Sequence, residues 1–429
     1  MIDNVLDELF SLRTGKRREN IDDLKLIYDL LGKPCDAVKV IHIAGTNGKG
    51  STATFLENIL LEAGYNVGKF TSPHILRYNE RILYNRQMID DEEIVENYFF
   101  LKQMIENCKR ENENLKDIYL NFFEITTFIA LMFFAKKNPD FLVIETGLGG
   151  RLDATNIINS DIALITNITF DHTAILGNSL KEIAYEKAGI IKNRELCIYA
   201  DSLPELEEEI NKKTENSVNI IKKYNDMEIE LDKTNYKTLI KFQNNEFILP
   251  LFGKFQANNF LLAYETAKFY NINNKTIQNG VNKVYWPARF EFFSTEPPVI
   301  LDAAHNDDSI RKLTENLAEI YEKNEVVIIT SLLATKDFGK VFTKLEKITD
   351  KIFITSLKEA VHGLSSAEIR EKMISLNIPV DGIIFEDNIL TAYKSAMNII
   401  KEKNSGYKAI VICGSFFEIA KFNRIVADK

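Results

Sequence analysis

The sequence predicts an α/β protein in two parts: a P-loop-type doubly wound N-terminal domain and a smaller Rossmann-like α/β C-terminal domain. Three observations predict it. Short apolar runs at 38–44, 67–70, 141–145 and 162–166 alternate with helical stretches, the signature of buried parallel strands joined by crossover helices. The first of these runs stops at Gly45-Thr46-Asn47-Gly48-Lys49-Gly50, and a helical pattern opens at Ser51. A second series of apolar runs, at 299–302, 326–331, 352–355, 382–385 and 409–413, recurs at the roughly 25- to 30-residue spacing of βαβ units.

A chain of 429 residues exceeds the usual size of one core, which sets the expectation of two domains. The boundary is placed at 296/297, giving domains 1–296 and 297–429, with the adjacent prolines of STEPP (294–298) as the linker. Apolar residues at 45% and charged residues at 27% describe an ordinary globular protein. A net charge of −9 argues against broad nucleic-acid binding and against a polybasic membrane anchor. The four cysteines, Cys35, Cys108, Cys197 and Cys413, lack metal-type spacing and read as free thiols. The first residues, MIDNVLDELF, carry acids where a signal peptide needs bases, and no apolar run reaches membrane-spanning length, so the expected location is the cytoplasm.

Taken in order, residues 1–37 read as two short helices separated by a basic stretch, Arg13 to Arg18. Val38 to Ala44 then leads into the glycine turn. Strand, glycine-rich turn and helix in that order make a phosphate site: glycines let backbone N–H groups close on the anion, the helix dipole points at it, and a lysine adds charge. The spacing differs from the standard phosphate-loop pattern, because Gly45 and Gly48 are three apart and Gly50 separates Lys49 from Ser51. Gly64 is placed as a helix terminator. Val67 to Phe70 runs into Thr71-Ser72-Pro73-His74, where proline bars immediate helix continuation. Stretches 90–112 and 119–135 read as helices, the second apolar nearly all round and therefore buried. From 204 to 249 the composition turns polar, and the alternation around 227–231, 238–242 and 247–251 predicts peripheral hairpins before a helix at 258–270.

Ligands of doubly wound sheets sit beyond the carboxyl ends of the strands. Ser72, Glu145, Asp171 and His172 all follow predicted strands, so topology expects them near the phosphate loop. Glu145 ends FLVIE and is the best carboxylate for Mg²⁺, which prefers oxygen ligands; bonding to the glycine-rich turn that follows would explain it equally. Ser51 and Ser72 offer hydroxyls, or simply caps. His172 ends a strand-like run, Ala163 to Phe170, where a histidine is more often structural. Lys187 is explained by a helix C-terminus as well as by chemistry. Asp302, His305 and Asn306 sit at a strand end, where either an active-site loop or an N-cap belongs. Arg289 precedes the linker and suits either a nucleotide or a domain lock.

Together these segments resemble the folylpolyglutamate synthase and dihydrofolate synthase family, within the Mur ligase superfamily. The resemblance rests on AGTNGKGS (44–51), TSPH (71–74), NERI (79–82), ETGLGGRLDATN (145–156), FDHTAILG (170–177), EKAGI (186–190), WPARFE (286–291), LDAAHN (301–306) and CGSFFE (413–418), in the family's order along essentially the whole chain. It implies an ATP-dependent ligase that adds L-glutamate to a folate or a pteroate through an acyl phosphate, with catalysis by positioning and electrostatics. It assigns Thr46, Asn47, Gly48, Lys49, Gly50, Ser51, Gln256, Asn259, Arg289 and Asp302 to ATP. It assigns Ser72 and Glu145 to a first Mg²⁺ and His172 to a second, and makes Lys187 a carbamate, formed with CO₂, that offers an oxygen ligand to Mg²⁺. Lys49, Lys187, His172, Asp302 and His305 are the implied catalytic set, and a monomer the implied state. Two departures stand out. The family's Gly-Leu-x-Arg stretch is replaced here by Arg18-Glu19-Asn20-Ile21-Asp22-Asp23-Leu24, and Ala303 stands where Gly is frequent. A cell-wall Mur ligase would share the loop and lysine but not the NERI, LGGRLDATN and CGSF blocks. A catalytically silent nucleotide-binding regulator would be expected to lose metal or lysine positions, and none is lost.

Overall fold

The computed structural model describes residues 1–12, 18–111, 113–192 and 195–427. The chain forms two compact units, one of residues 1–227 and 258–284, the other of 228–257 and 285–429. Of the basic stretch, residues 13–17 lie outside the described residues. Arg18 is ion-paired with Glu124 and Asp23.

Among the described residues the first unit is built on eight strands: β1 Lys39–Ala44, β2 Val67–Phe70, β3 Ile82–Tyr84, β4 Gln87–Met88, β5 Phe141–Glu145, β6 Ile162–Ile165, β7 Leu196–Tyr199 and β8 Ser217–Asn219. They lie in the order β4-β3-β2-β5-β1-β6-β7-β8, parallel except for the β2-β3-β4 edge. The strands at the centre are buried on both faces, which is why they read as unbroken apolar runs. Register decides what meets at their ends. Ile43 pairs with Glu145 and Ala44 with Ile165, so the exits of β1, β5 and β6 are level. The helix Phe122–Lys137 is buried along most of its length, as its all-round apolarity predicts, and a capping box at Asn121 and Glu124 starts it.

The second unit holds an antiparallel sheet, β9 Glu228–Asp232, β10 Lys237–Phe242 and β11 Asn245–Leu249. It also holds β12 Glu291–Thr295, β13 Pro298–Leu301, β14 Val326–Thr330, β15 Ile352–Ile354, β16 Ile383–Phe385 and β17 Ala409–Cys413, in the order β12-β13-β17-β14-β15-β16. The predicted strands of the second series are all present.

Three expectations need correction. The expected linker STEPP is the turn of the antiparallel β12–β13 hairpin, in which Thr295 pairs with Pro298, so position 296/297 falls inside a paired element. The 227–251 strands belong with the second unit, because Phe252, Leu231 and Tyr236 pack into its core and Tyr236 stacks on Phe292 at 3.7 Å between ring centres. The strand-like run at 163–170 stops at Ile165, because the next residues turn to bond the phosphate loop. Among the described residues no helix is long and apolar enough to cross a membrane.

Candidate active site

The helix after β1 runs Lys49–Glu62, two residues earlier than the sequence pattern suggests, with Gly48 as its N-cap at φ +89°. Only glycine takes that conformation without strain. A β-carbon there would also collide with Asn259 Oδ1, just as one on Gly45 would collide with Thr166 Oγ1. The loop is therefore pressed between two polar side chains. Lys49 Nζ donates to the carbonyls of Gly45 at 3.0 Å and Thr46 at 3.2 Å, which holds its ammonium at the loop's mouth. Glu145 Oε1 lies 3.9 Å from that ammonium. The other carboxylate oxygen accepts from the Ser72 amide at 3.1 Å. Ser51, buried, occupies the first turn of the helix.

Lys187 is 3% exposed, on the helix Leu180–Ala188. Burial, with the nearby Lys49 ammonium adding to it, pushes its pKa well below the ordinary lysine range, while Asp171 and Asp153 oppose that shift. Asp153 is itself pushed up by burial, although the amides of Leu148 and Thr155 and the Thr155 hydroxyl donate to it. His172 takes a left-handed conformation, φ +50° and ψ +37°, as the N-cap of the short helix Thr173–Leu176. Non-glycine residues in that region store strain, frequently at functional positions. Its side chain is 49% exposed and its Nε2 stands 3.9 Å from Asp171 Oδ1.

In the second unit, Asp302 is buried at the end of β13. Its Oδ2 accepts from the Phe290 amide at 2.9 Å and its Oδ1 from the Ala304 amide at 2.8 Å. It thereby ties LDAAHN to WPARFE, where Ala288 and Phe290 carry φ of +56° and +50°. Burial raises the Asp302 pKa to about 6 against the pull of Arg289. The Arg289 guanidinium lies 4.8 Å from the Phe416 ring centre and donates to the Ala288 carbonyl. His305 Nδ1 sits 2.8 Å from the Ala303 carbonyl; a carbonyl only accepts, so Nδ1 carries the proton. Gln256 is fully buried at the start of the helix Gln256–Phe269, on which Asn259 faces Gly48.

The structure thus groups Lys49, Glu145 and Ser72, sets Lys187 among Lys49, Asp153 and Asp171, and groups Arg289 with Asp302 in the other unit. Sequence reading left out Asp153, bonded within its own loop, and Thr166 and Asn167, whose partner Asn47 lies about 120 positions earlier. It also missed His42, fully buried on β1, whose Nε2 is 2.8 Å from Thr155 Oγ1 and whose pKa burial lowers to about 3. The adjacent carboxylate of Glu145 and Ser72 are hard oxygen donors that suit Mg²⁺. Among the described residues no three His, Cys, Asp or Glu groups converge as a ready metal cage. That fits an ion which draws its remaining ligands from phosphate and water.

A lysine-bearing glycine loop at a helix start, faced by a carboxylate at the carboxyl edge of a parallel sheet, defines a phosphate-handling α/β enzyme. The Mur ligase middle domain family matches residues 43–267, and the Mur ligase glutamate ligase domain matches 288–416. Dihydrofolate synthase/folylpolyglutamate synthase of Bacillus subtilis is 34% identical over 94% of this chain and 93% of its own. Among solved structures, Escherichia coli FolC in complex with DHPP and ADP superposes with a TM-score of 0.85 at 26% identity, over 100% of this chain and 98% of that one. A bifunctional folylpolyglutamate synthase/dihydrofolate synthase with Mn, AMPPNP and L-glutamate bound gives 0.82 at 27% identity, over 99% and 98%. The chain belongs to the dihydrofolate synthase/folylpolyglutamate synthase family of the Mur ligase superfamily.

Proposed function

We infer that this chain is an ATP-dependent ligase that adds L-glutamate to a folate, a pteroate or both. The observation that carries the reading is the Lys49 ammonium, pinned by two loop carbonyls and 3.9 Å from Glu145. An ammonium so placed lies where the β- and γ-phosphates meet a helix N-terminus. A carboxylate oxygen of the pterin substrate attacks the γ-phosphorus, the bond to the bridging oxygen of ADP breaks, and an acyl phosphate forms. The glutamate amine then adds to the acyl carbon and gives up a proton, and phosphate leaves with the oxygen that attacked. Lys49 and the amides of the helix start neutralise charge that grows on the transferring phosphoryl group. Ser72 and Glu145 would hold a divalent ion, which supplies Lewis-acid charge neutralisation when bound. Gln256, Asn259 and Arg289 are read as nucleotide contacts, with Asp302 holding Arg289's segment in place and His305 lining the glutamate side.

Lys187 is read as a carbamate: its amine adds to CO₂, releasing a proton and leaving an N-carboxylate. Burial favours the neutral amine that this addition needs, and the facing Lys49 ammonium favours the resulting anion. With His172 it would hold a second ion. ADP release with ATP, Mg²⁺ and glutamate tests the reading when dihydropteroate, tetrahydrofolate and UDP-muramyl substrates are offered in turn. Release with either pterin is expected. Release with none, or with the UDP-muramyl substrate alone, would contradict it.

A further inference from the structure

The phosphate loop is held from behind by the segment that follows β6. Asn167 grips it twice: its carbonyl accepts from the Thr46 amide and its Oδ1 from the Asn47 amide, each at 2.8 Å. The Thr166 hydroxyl donates to the Asn47 carbonyl at 2.7 Å. The Thr46 hydroxyl donates to the Thr169 carbonyl at 3.2 Å and accepts from the Thr169 amide at 3.1 Å. Gly45 admits this arrangement because Thr166 Oγ1 stands where its β-carbon would be.

An anion cradle works by turning several backbone amides toward one point. Here the amides of Thr46 and Asn47 are already engaged by Asn167, and the Thr52 amide bonds the Gly48 carbonyl. The amides of Lys49, Gly50 and Ser51 occupy the first helical turn, where no intrahelical acceptor exists. The clamp also leads, four residues on from Asn167, into Asp171 and His172.

We propose that Asn167 is a positioning residue. Its side chain fixes the loop so that phosphate is received by the helix-start amides and not by Thr46 and Asn47. It also makes the loop and the Asp171–His172 segment a single body. This rests on the reading of the loop as a nucleotide-phosphate site.

Amide hydrogen exchange resolved to single residues, on the full chain with and without ADP and Mg²⁺, tests it. In the nucleotide-free protein the Thr46 and Asn47 amides exchange slowly, and ADP changes them little. The Gly50 and Ser51 amides slow by about tenfold or more only when ADP is added. In Asn167→Ala the Asn47 amide exchanges fast while the Thr46 amide, held by a backbone carbonyl, stays slow; a general loss of stability would release both. The same variant binds ADP about tenfold more weakly, and Thr166→Ser, which keeps its hydroxyl, binds as wild type. Thr46 and Asn47 amides that become protected only with ADP would overturn the proposal, as would wild-type ADP affinity in Asn167→Ala. Failure of the wild-type protein to bind ADP would overturn the phosphate-site reading itself.

Discussion

The phosphate loop of the first unit and the 288–306 region of the second both end parallel strands with charged residues, yet they commit their polar atoms differently. In the first, Lys49 is tethered by carbonyls but keeps its ammonium at the loop mouth, with Glu145 facing it. In the second, both oxygens of Asp302 accept backbone amides. The same sheet-edge placement therefore holds an ammonium beside a carboxylate in one region and ties both carboxylate oxygens to backbone amides in the other. Substitutions should separate along that line.

The largest effect is expected at Lys49. Lys49→Ala should lower kcat by about 10²–10³-fold while thermal unfolding stays near wild type; a matching loss of stability would erase the contrast. Lys187→Ala should lower turnover by about 10²-fold, with partial recovery on adding short carboxylic acids in place of the carbamate. Full activity in that variant would remove the carbamate role. Asp302→Ala should act first on stability, costing about 2–3 kcal/mol in denaturant unfolding, because two backbone amides lose a buried acceptor. Unchanged stability with lost activity would make Asp302 a reacting group after all.

Acid should split the two units more gently. His42, whose folded pKa lies near 3 against an ordinary 6.5, stays neutral while the unfolded chain takes up a proton. Its contribution is present above pH 6.5 and is lost as pH falls toward 3, by at most about 1.4 kcal/mol per unit. His42→Gln should flatten that loss. In the second unit, burial raises Asp302 to about 6 and Glu418 to about 7. These groups hold protons more tightly when folded, so their cost is fully present above those values and is relieved as pH falls. Within the first unit Glu195, raised by burial to about 7, opposes the His42 loss over the same range, so the comparison of wild type with His42→Gln isolates the histidine.

The strand series was legible because strands buried on both faces have no polar face to interrupt their apolar runs. β12 was hidden because EFFST is short and the prolines after it look like a break, when they make a turn. The site was legible where one residue carries its chemistry in its own motif, as with Lys49 and Glu145. Asn167 was not, since a lone asparagine after a strand acquires meaning only through a loop 120 positions earlier. Asp302 was legible as important, but not as an acceptor for two amides, because that depends on the backbone of Phe290 and Ala304.

Phosphorylation of the pterin substrate's carboxylate at the Lys49 loop is the step on which the proposed reaction turns. Substrate carrying ¹⁸O in the reacting carboxylate, incubated with ATP, Mg²⁺ and glutamate, tests it most directly. One ¹⁸O is expected in inorganic phosphate for each amide formed. Unlabelled phosphate, or label in AMP, would contradict it.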